Sequence, residues 1–249
     1  MPTALTCQDV GQYDPEPHMS FVPYRPREPR QKRQTLDQAQ IVQAALELLD
    51  RVGFDELTMR RLAARLGVKA AALYRHVRSK EELLGLLGDE ISAGISLPRG
   101  DGDWREQLTE MAWNVRRGLL VHRDAARVLA STPPGGPRRL RHVEAVLRVL
   151  RSTGLNDRDV VRAAYHLNNL VTEFVADEGR FAAYATAPGS SRRKILAEAR
   201  RQFKQLPTNE YPTIVALADR LADSDQDALF QFGIDMCLKG IQALTKRTS

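Results

Sequence analysis

The sequence predicts an all-α fold, on three observations. Apolar residues recur three and four positions apart along most of the chain, the period of an amphipathic helix. No stretch alternates apolar and polar residues as a half-buried strand does. Breakers, above all Gly53, Gly67, 97–102 (LPRGDG), 133–137 (PPGGP) and Gly154, cut the pattern into helix-sized pieces.

Residues 1–34 carry Pro2, Pro15, Pro17, Pro23, Pro26 and Pro29 and end in Arg25, Arg27, Arg30, Lys32 and Arg33. They read as a disordered basic extension, either a solvated tail or an arm that follows a DNA backbone. A first helix is expected from near Leu36 to Val52, with Thr35 and Gln38 as a capping box and Gly53 as its stop. Thr58 caps a second helix with Leu62, Ala63 and Leu66 on one face. Gly67 ends it, where a residue without Cβ takes a left-handed backbone at little cost. A third helix turns Leu73 and Val77 to the core and Lys69, Ala70, Ala72, Tyr74 and His76 outward. Helix, tight turn and helix with small and polar residues outward is the layout of a DNA-reading helix-turn-helix. An ordinary helical hairpin has the same outline. Ser79 and Glu82 then box the start of a fourth helix bearing Leu83, Leu84, Leu87 and Ile91.

Trp104, Leu108, Met111, Ala112, Val115 and Leu119 space a fifth helix that ends near His122. A short helix from Asp124 to Ser131, another from Leu140 to Gly154 and a long one from Asp157 to about Glu178 follow. Residues 185–212 are polar and weakly patterned, with a short helix near Arg193 to Phe203, and are expected to be mobile. Ser224 caps a last helix whose apolar residues, Leu229 to Leu244, occupy several sides. Such coverage in a C-terminal helix suits a subunit interface, so a homodimer through the eighth and last helices is expected. Residues 35–82 are thus read as a three-helix helix-turn-helix DNA-binding domain, and 83–249 as a helical dimerisation domain, to which the family resemblance described below adds ligand binding.

Composition narrows the function classes. The 249 residues carry a formal charge of +6, which suits a polyanionic partner. Cys7 and Cys237 stand at opposite ends of the chain, neither a disulfide framework nor a metal-ligand spacing. No apolar run approaches the ~18–20 residues that span a bilayer, and no secretory signal opens the chain, so a cytoplasmic protein without a membrane partner is expected. A glycine-rich phosphate loop, a G-x-S-x-G elbow and an H-E-x-x-H pair are all missing. The expectation is no enzyme, no cofactor and no metal.

From about Thr35 to Leu87 the sequence resembles the DNA-binding domain of the tetracycline-repressor (TetR) family. The likeness lies in AALELLDRVGFDELTMRRLA, the LGV turn, LYRHV and SKEELL, in that order and without gaps. HRDAARVL, EFVADE and FGIDMCLKGI extend it into the second half. The resemblance implies a homodimer on a palindromic operator in double-stranded DNA, released by a small-molecule effector. It implies that Arg60 reaches a base edge, and that Thr58, Tyr74, His76 and Lys80 touch phosphates. Ala70, Ala71 and Ala72 depart from the tetracycline-repressor pattern and offer apolar contact without a base hydrogen bond, so a different operator is expected. In the ligand half, Leu129 stands where a metal-binding histidine is expected, while an acid survives as Asp177. Effector candidates are Met111, Val115, Leu129, Tyr165, Asn168, Thr172 and Asp177; Tyr165, Asn168 and Thr172 form a polar stripe on one helix. The first reading is a ligand-responsive repressor. A ligand-independent DNA-binding or architectural regulator with a filled C-terminal core stands as the alternative.

Overall fold

In a computed structural model, which describes residues 36–98, 100, 102–185, 191–222 and 225–248, every regular element is a helix. Asp37 caps α1 (Gln38–Val52): its carboxylate accepts the Gln40 N–H at 2.7 Å, and the Gln40 side chain accepts the Asp37 N–H at 3.2 Å. This corrects the expected box of Thr35 and Gln38, since Gln38 is already helical; Thr35 lies outside the described residues. An acid with glutamine three residues on satisfies two orphan N–H groups as well as the threonine would have done.

Gly53, at φ 83°, turns the chain toward α2 (Met59–Arg65), which Thr58 caps through its hydroxyl to the Arg61 N–H at 3.2 Å. Gly67, at φ 65°, makes the tight turn into α3 (Ala70–Leu73). α3 is a single turn that winds on, the Leu73 carbonyl accepting from the N–H groups of His76 and Val77. Ser79 caps α4 (Lys80–Ala93), its hydroxyl accepting the Glu82 N–H at 3.2 Å, but the expected box does not close, because the Glu82 carboxylate accepts the Arg78 N–H at 2.6 Å instead. The remaining helices are α5 (Trp104–Leu120), α6 (Ala125–Ser131), α7 (Pro137–Ser152), α8 (Asp157–Ala185), α9 (Arg192–Lys204), α10 (Pro212–Leu221) and α11 (Gln226–Thr248).

α8 runs seven residues past its expected end at Glu178; a single glycine, Gly179, costs a helix about 1 kcal/mol and does not stop one this long. α10 is a helix that the sequence pattern did not suggest. It starts on Pro212, which reads as a breaker but fits the first helical position, where no N–H is needed. The expected cap Ser224 lies outside the described residues; Asp225 accepts the Ala228 N–H at 2.9 Å at the head of α11.

Two apolar cores result. The first joins Ile41, Leu49, Leu57, Leu62, Leu73, Val77, Leu83 and Leu87 to Leu119, Val128, Leu129 and Val175, so α5, α6 and α8 complete the core of the N-terminal helices. The second gathers Leu108, Met111, Leu150, Leu167, Val171, Phe230 and Ile234. α4 is pinned at its far end to the start of α7. The Asp89 carboxylate accepts the backbone N–H groups of Arg138 and Arg139 at 2.8 and 2.9 Å, capping a helix whose own N-cap, Gly136, has no side chain. Only glycine fits there, because a Cβ would stand 2.2 Å from that carboxylate.

Candidate nucleic-acid interface and effector half

Helix spacing decides which side chains of the helix-turn-helix look outward. Leu62 and Ala63 bury one side of α2 and leave Arg60, its second residue, exposed. Arg61 pairs with Glu56 and Arg65 with Glu47, whereas Arg60 has no ion-pair partner among the described residues. A guanidinium left unpaired at an exposed position is available to a base edge or a phosphate. Lys69 precedes α3, exposed, and Tyr74 is 49% exposed. His76 is half-buried, its carbonyl accepting from the Gln38 side chain at 3.4 Å.

Ala70 was expected to face outward, and that is corrected: it is half-buried against the first core. It lies three residues before Leu73 and seven before Val77, on the face both bury. Ala72 is also half-buried, and the exposed alanine of the three is Ala71. Lys80, the first residue of α4, is half-buried with its ammonium 5.4 Å from the centre of the Phe54 ring.

The effector candidates are not brought together around one cavity. Met111 lies in the second core and Leu129 in the first, each almost fully buried, while Val115 packs against both. Thr172 is buried and its hydroxyl donates to the Asn168 carbonyl at 2.9 Å. Tyr165 is 63% exposed, Asn168 is exposed, and Asp177 is exposed and paired with Arg180 at 3.0 Å. The polar stripe on α8 therefore crosses from surface at Tyr165 and Asn168 to core at Thr172. A hollow of about 930 Å³ beside α6 is lined by Leu119, Ala126, Arg127, Val175 and Glu178 among others, and by none of the seven candidates. The donor set does not suit a drug-bound divalent metal: Leu129 has no lone pair, and Asp177 is occupied by Arg180.

The sequence reading missed Arg116, which is 5% exposed within α5. Its guanidinium makes a two-pronged pair with Glu178 at 2.7 and 2.9 Å and a third bond to Asp227 at 2.7 Å. Trp113, Phe174 and Phe230 surround it, with ring centres 4.9 to 5.5 Å away. The Glu178 hydrogen bonds hold this guanidinium above its ordinary pKa, against the opposing effect of burial. The signal was present: Arg116 falls between Ala112 and Leu119 on the apolar stripe of α5, where an arginine needs a buried partner. Cys237 is half-buried and its thiol is pushed up by that burial, which makes it a poor nucleophile.

The N-terminal helices and the effector half meet at a dense polar contact. Asp124, the one described non-glycine residue at positive φ, accepts the Phe54 N–H at 2.8 Å. Asp50 accepts the Arg123 N–H at 2.9 Å and sits 2.9 Å from His122 Nδ1. Arg127 grips Asp55 with two hydrogen bonds, 2.7 and 2.9 Å, which hold the Asp55 carboxyl below its ordinary range.

Comparison with known proteins agrees with this architecture. The family profile "Bacterial regulatory proteins, tetR family" matches residues 41–87, and "Tetracyclin repressor-like, C-terminal domain" matches 98–245. The tetracycline repressor protein class A from transposon 1721 of Escherichia coli is 34% identical over 204 residues, 81% of this chain and 88% of that protein. Apo ActR from Streptomyces coelicolor superposes with a TM-score of 0.75 at 32% identity, covering 86% of this chain and 99% of that one; ActR has also been solved with actinorhodin. BioQ on its double-stranded DNA operator gives a TM-score of 0.59 at 28% identity, covering 84% and 99%. A helix-turn-helix that matches the family's DNA-binding profile, built onto a helical second half that matches a repressor-like domain over its length, places this chain in the tetR family of bacterial regulatory proteins.

Proposed function

We propose that the protein is a ligand-responsive transcriptional repressor that binds a palindromic operator as a homodimer and leaves it when a small organic effector binds. The observation that carries the DNA part is the division of cations on the helix-turn-helix: Arg61 pairs with Glu56 and Arg65 with Glu47, while Arg60, Lys69 and Lys80 have no ion-pair partner among the described residues. Arg60 reads a base edge, Thr58, Tyr74, His76 and Lys80 hold phosphates, and Lys69 and the exposed Ala71 line the groove. The operator obtained by selecting from random duplexes tests this. On it, Arg60→Ala is expected to cost ~1–3 kcal/mol and relax preference at one base pair per half-site. Lys80→Ala should weaken all sequences alike and lower the salt slope by about one counterion per subunit. Equal changes in sequence preference would overturn the assignment.

The dimer is proposed to form through α8 and α11. Val161 and Tyr165 on α8, and Leu229, Phe232 and Met236 on α11, are large apolar or aromatic side chains each more than half exposed in the single chain. Tyr165 then belongs to the partner face rather than to the effector.

The effector is proposed to be a mainly apolar organic molecule; Met111, Val115, Leu129 and Thr172 lie in the apolar interior but around no shared cavity, so they could hold it only if the two cores parted, and Asn168 and Asp177 stand outside at the surface. Tetracycline with Mg²⁺ is expected not to release the protein from its operator, since Leu129 cannot take a metal. A gel shift with and without Mg²⁺ checks it, and metal-dependent release at micromolar drug would refute the reading. The second reading, a ligand-independent regulator, draws support from the close burial of Met111, Leu129 and Thr172. Mass spectrometry of small molecules that co-purify with the protein separates the two.

A further inference from the structure

We propose that Phe54 is a positioning residue for the phosphate contact made by Lys80, and that α6 controls it through Arg127; this rests on the DNA reading above. The two cations share one ring. The Lys80 ammonium lies 5.4 Å from the Phe54 centroid and the Arg127 guanidinium 4.6 Å. A ring face attracts a cation without consuming its directed hydrogen bonds, so Lys80 is held in place with N–H groups free for a phosphate oxygen.

Phe54 does not choose its own place. Its N–H is bound by Asp124 at 2.8 Å, and the next residue, Asp55, is gripped by Arg127 through both carboxylate oxygens. Gly53 lets the turn come this close: at φ 83° a Cβ would meet Asp124 at 2.9 Å and Arg123 at 3.1 Å. Three contacts thus fasten 53–55 to the start of α6, and the ring carries that position to the first residue of α4. The hollow beside α6 has both Asp55 and Arg127 in its wall, so an occupant there changes the same pair. Shifting α6 withdraws the ring from Lys80 and costs each subunit one preorganised phosphate contact.

A double-mutant cycle on a labelled duplex of mixed sequence tests this, because phosphate contacts need no particular operator. Phe54→Leu, which keeps an apolar side chain, should weaken binding about two- to fivefold. In a Lys80→Ala background it should change nothing. Arg127→Gln, which removes no apolar packing, should behave likewise, losing its effect when Phe54 is already leucine. Thermal melts are run beside each titration, and the Arg127 variant carries the test if the Phe54 variant unfolds. Equal losses with and without Lys80 would make Phe54 merely structural and overturn the proposal. Wild-type protein that binds no duplex would instead remove the DNA reading on which it stands.

Discussion

Phe232→Asp combined with Met236→Asp is expected to give a folded monomer that no longer binds its operator specifically. Both side chains are more than half exposed on α11, so a carboxylate there costs the single chain little. In a dimer the same two carboxylates would be desolvated without partners, at several kcal/mol each. Two heads must be joined to occupy half-sites about 34–36 Å apart, so separated subunits keep only weak, salt-sensitive binding. Sedimentation velocity and a gel shift check both halves of the expectation; a dimeric double variant ends it. Ile234 looks equally apolar in sequence but is fully buried within the second core, and aspartate there would unfold the chain instead.

Arg116→Met is expected to lower stability by ~3–5 kcal/mol, the usual result of removing one partner from a buried ion pair. The loss comes from Glu178, whose side chain is 12% exposed and would be left without its partner. Asp227, the third member, is 75% exposed, so Asp227→Asn should change stability by no more than about 1 kcal/mol. Chemical denaturation of the two variants separates these magnitudes. Pairing Arg116→Met with Glu178→Gln should recover part of the loss, since it removes the stranded carboxyl.

Local signals made most of the helices legible. α1, α4, α5 and α7 carry three-and-four spacing with a cap or a breaker near each end, although α1 is capped by Asp37 rather than the expected Thr35. What escaped depends on residues far apart in the chain. Arg116 becomes intelligible only when Glu178 and Asp227, 62 and 111 residues away, arrive beside it. Asp89 gives no hint that it will cap a helix 49 residues later. The exposure of Thr58, Arg60, Lys69 and Tyr74 was legible because they lie within one short motif, whereas Ala70 was misplaced because the core it packs against comes from other helices. The effector candidates were not, because burial along α8 is set by whichever helices cross it, and a stripe at i, i+3 and i+7 does not reveal where the cover begins.

The mixed ancestry of the first core bears on how such proteins can be recombined. Leu119, Val128, Leu129 and Val175 supply part of the apolar filling beneath the helix-turn-helix, and Asp89 anchors the far end of the helix that both halves share. A head cut out after α4 would therefore expose an unfilled floor, and one transplanted from a relative would meet side chains shaped for another. On the DNA contacts proposed above, exchanging specificity in this chain means repainting the outward surfaces of α2 and α3 while leaving their undersides alone. Effector and operator preferences can drift separately only as far as that common floor allows.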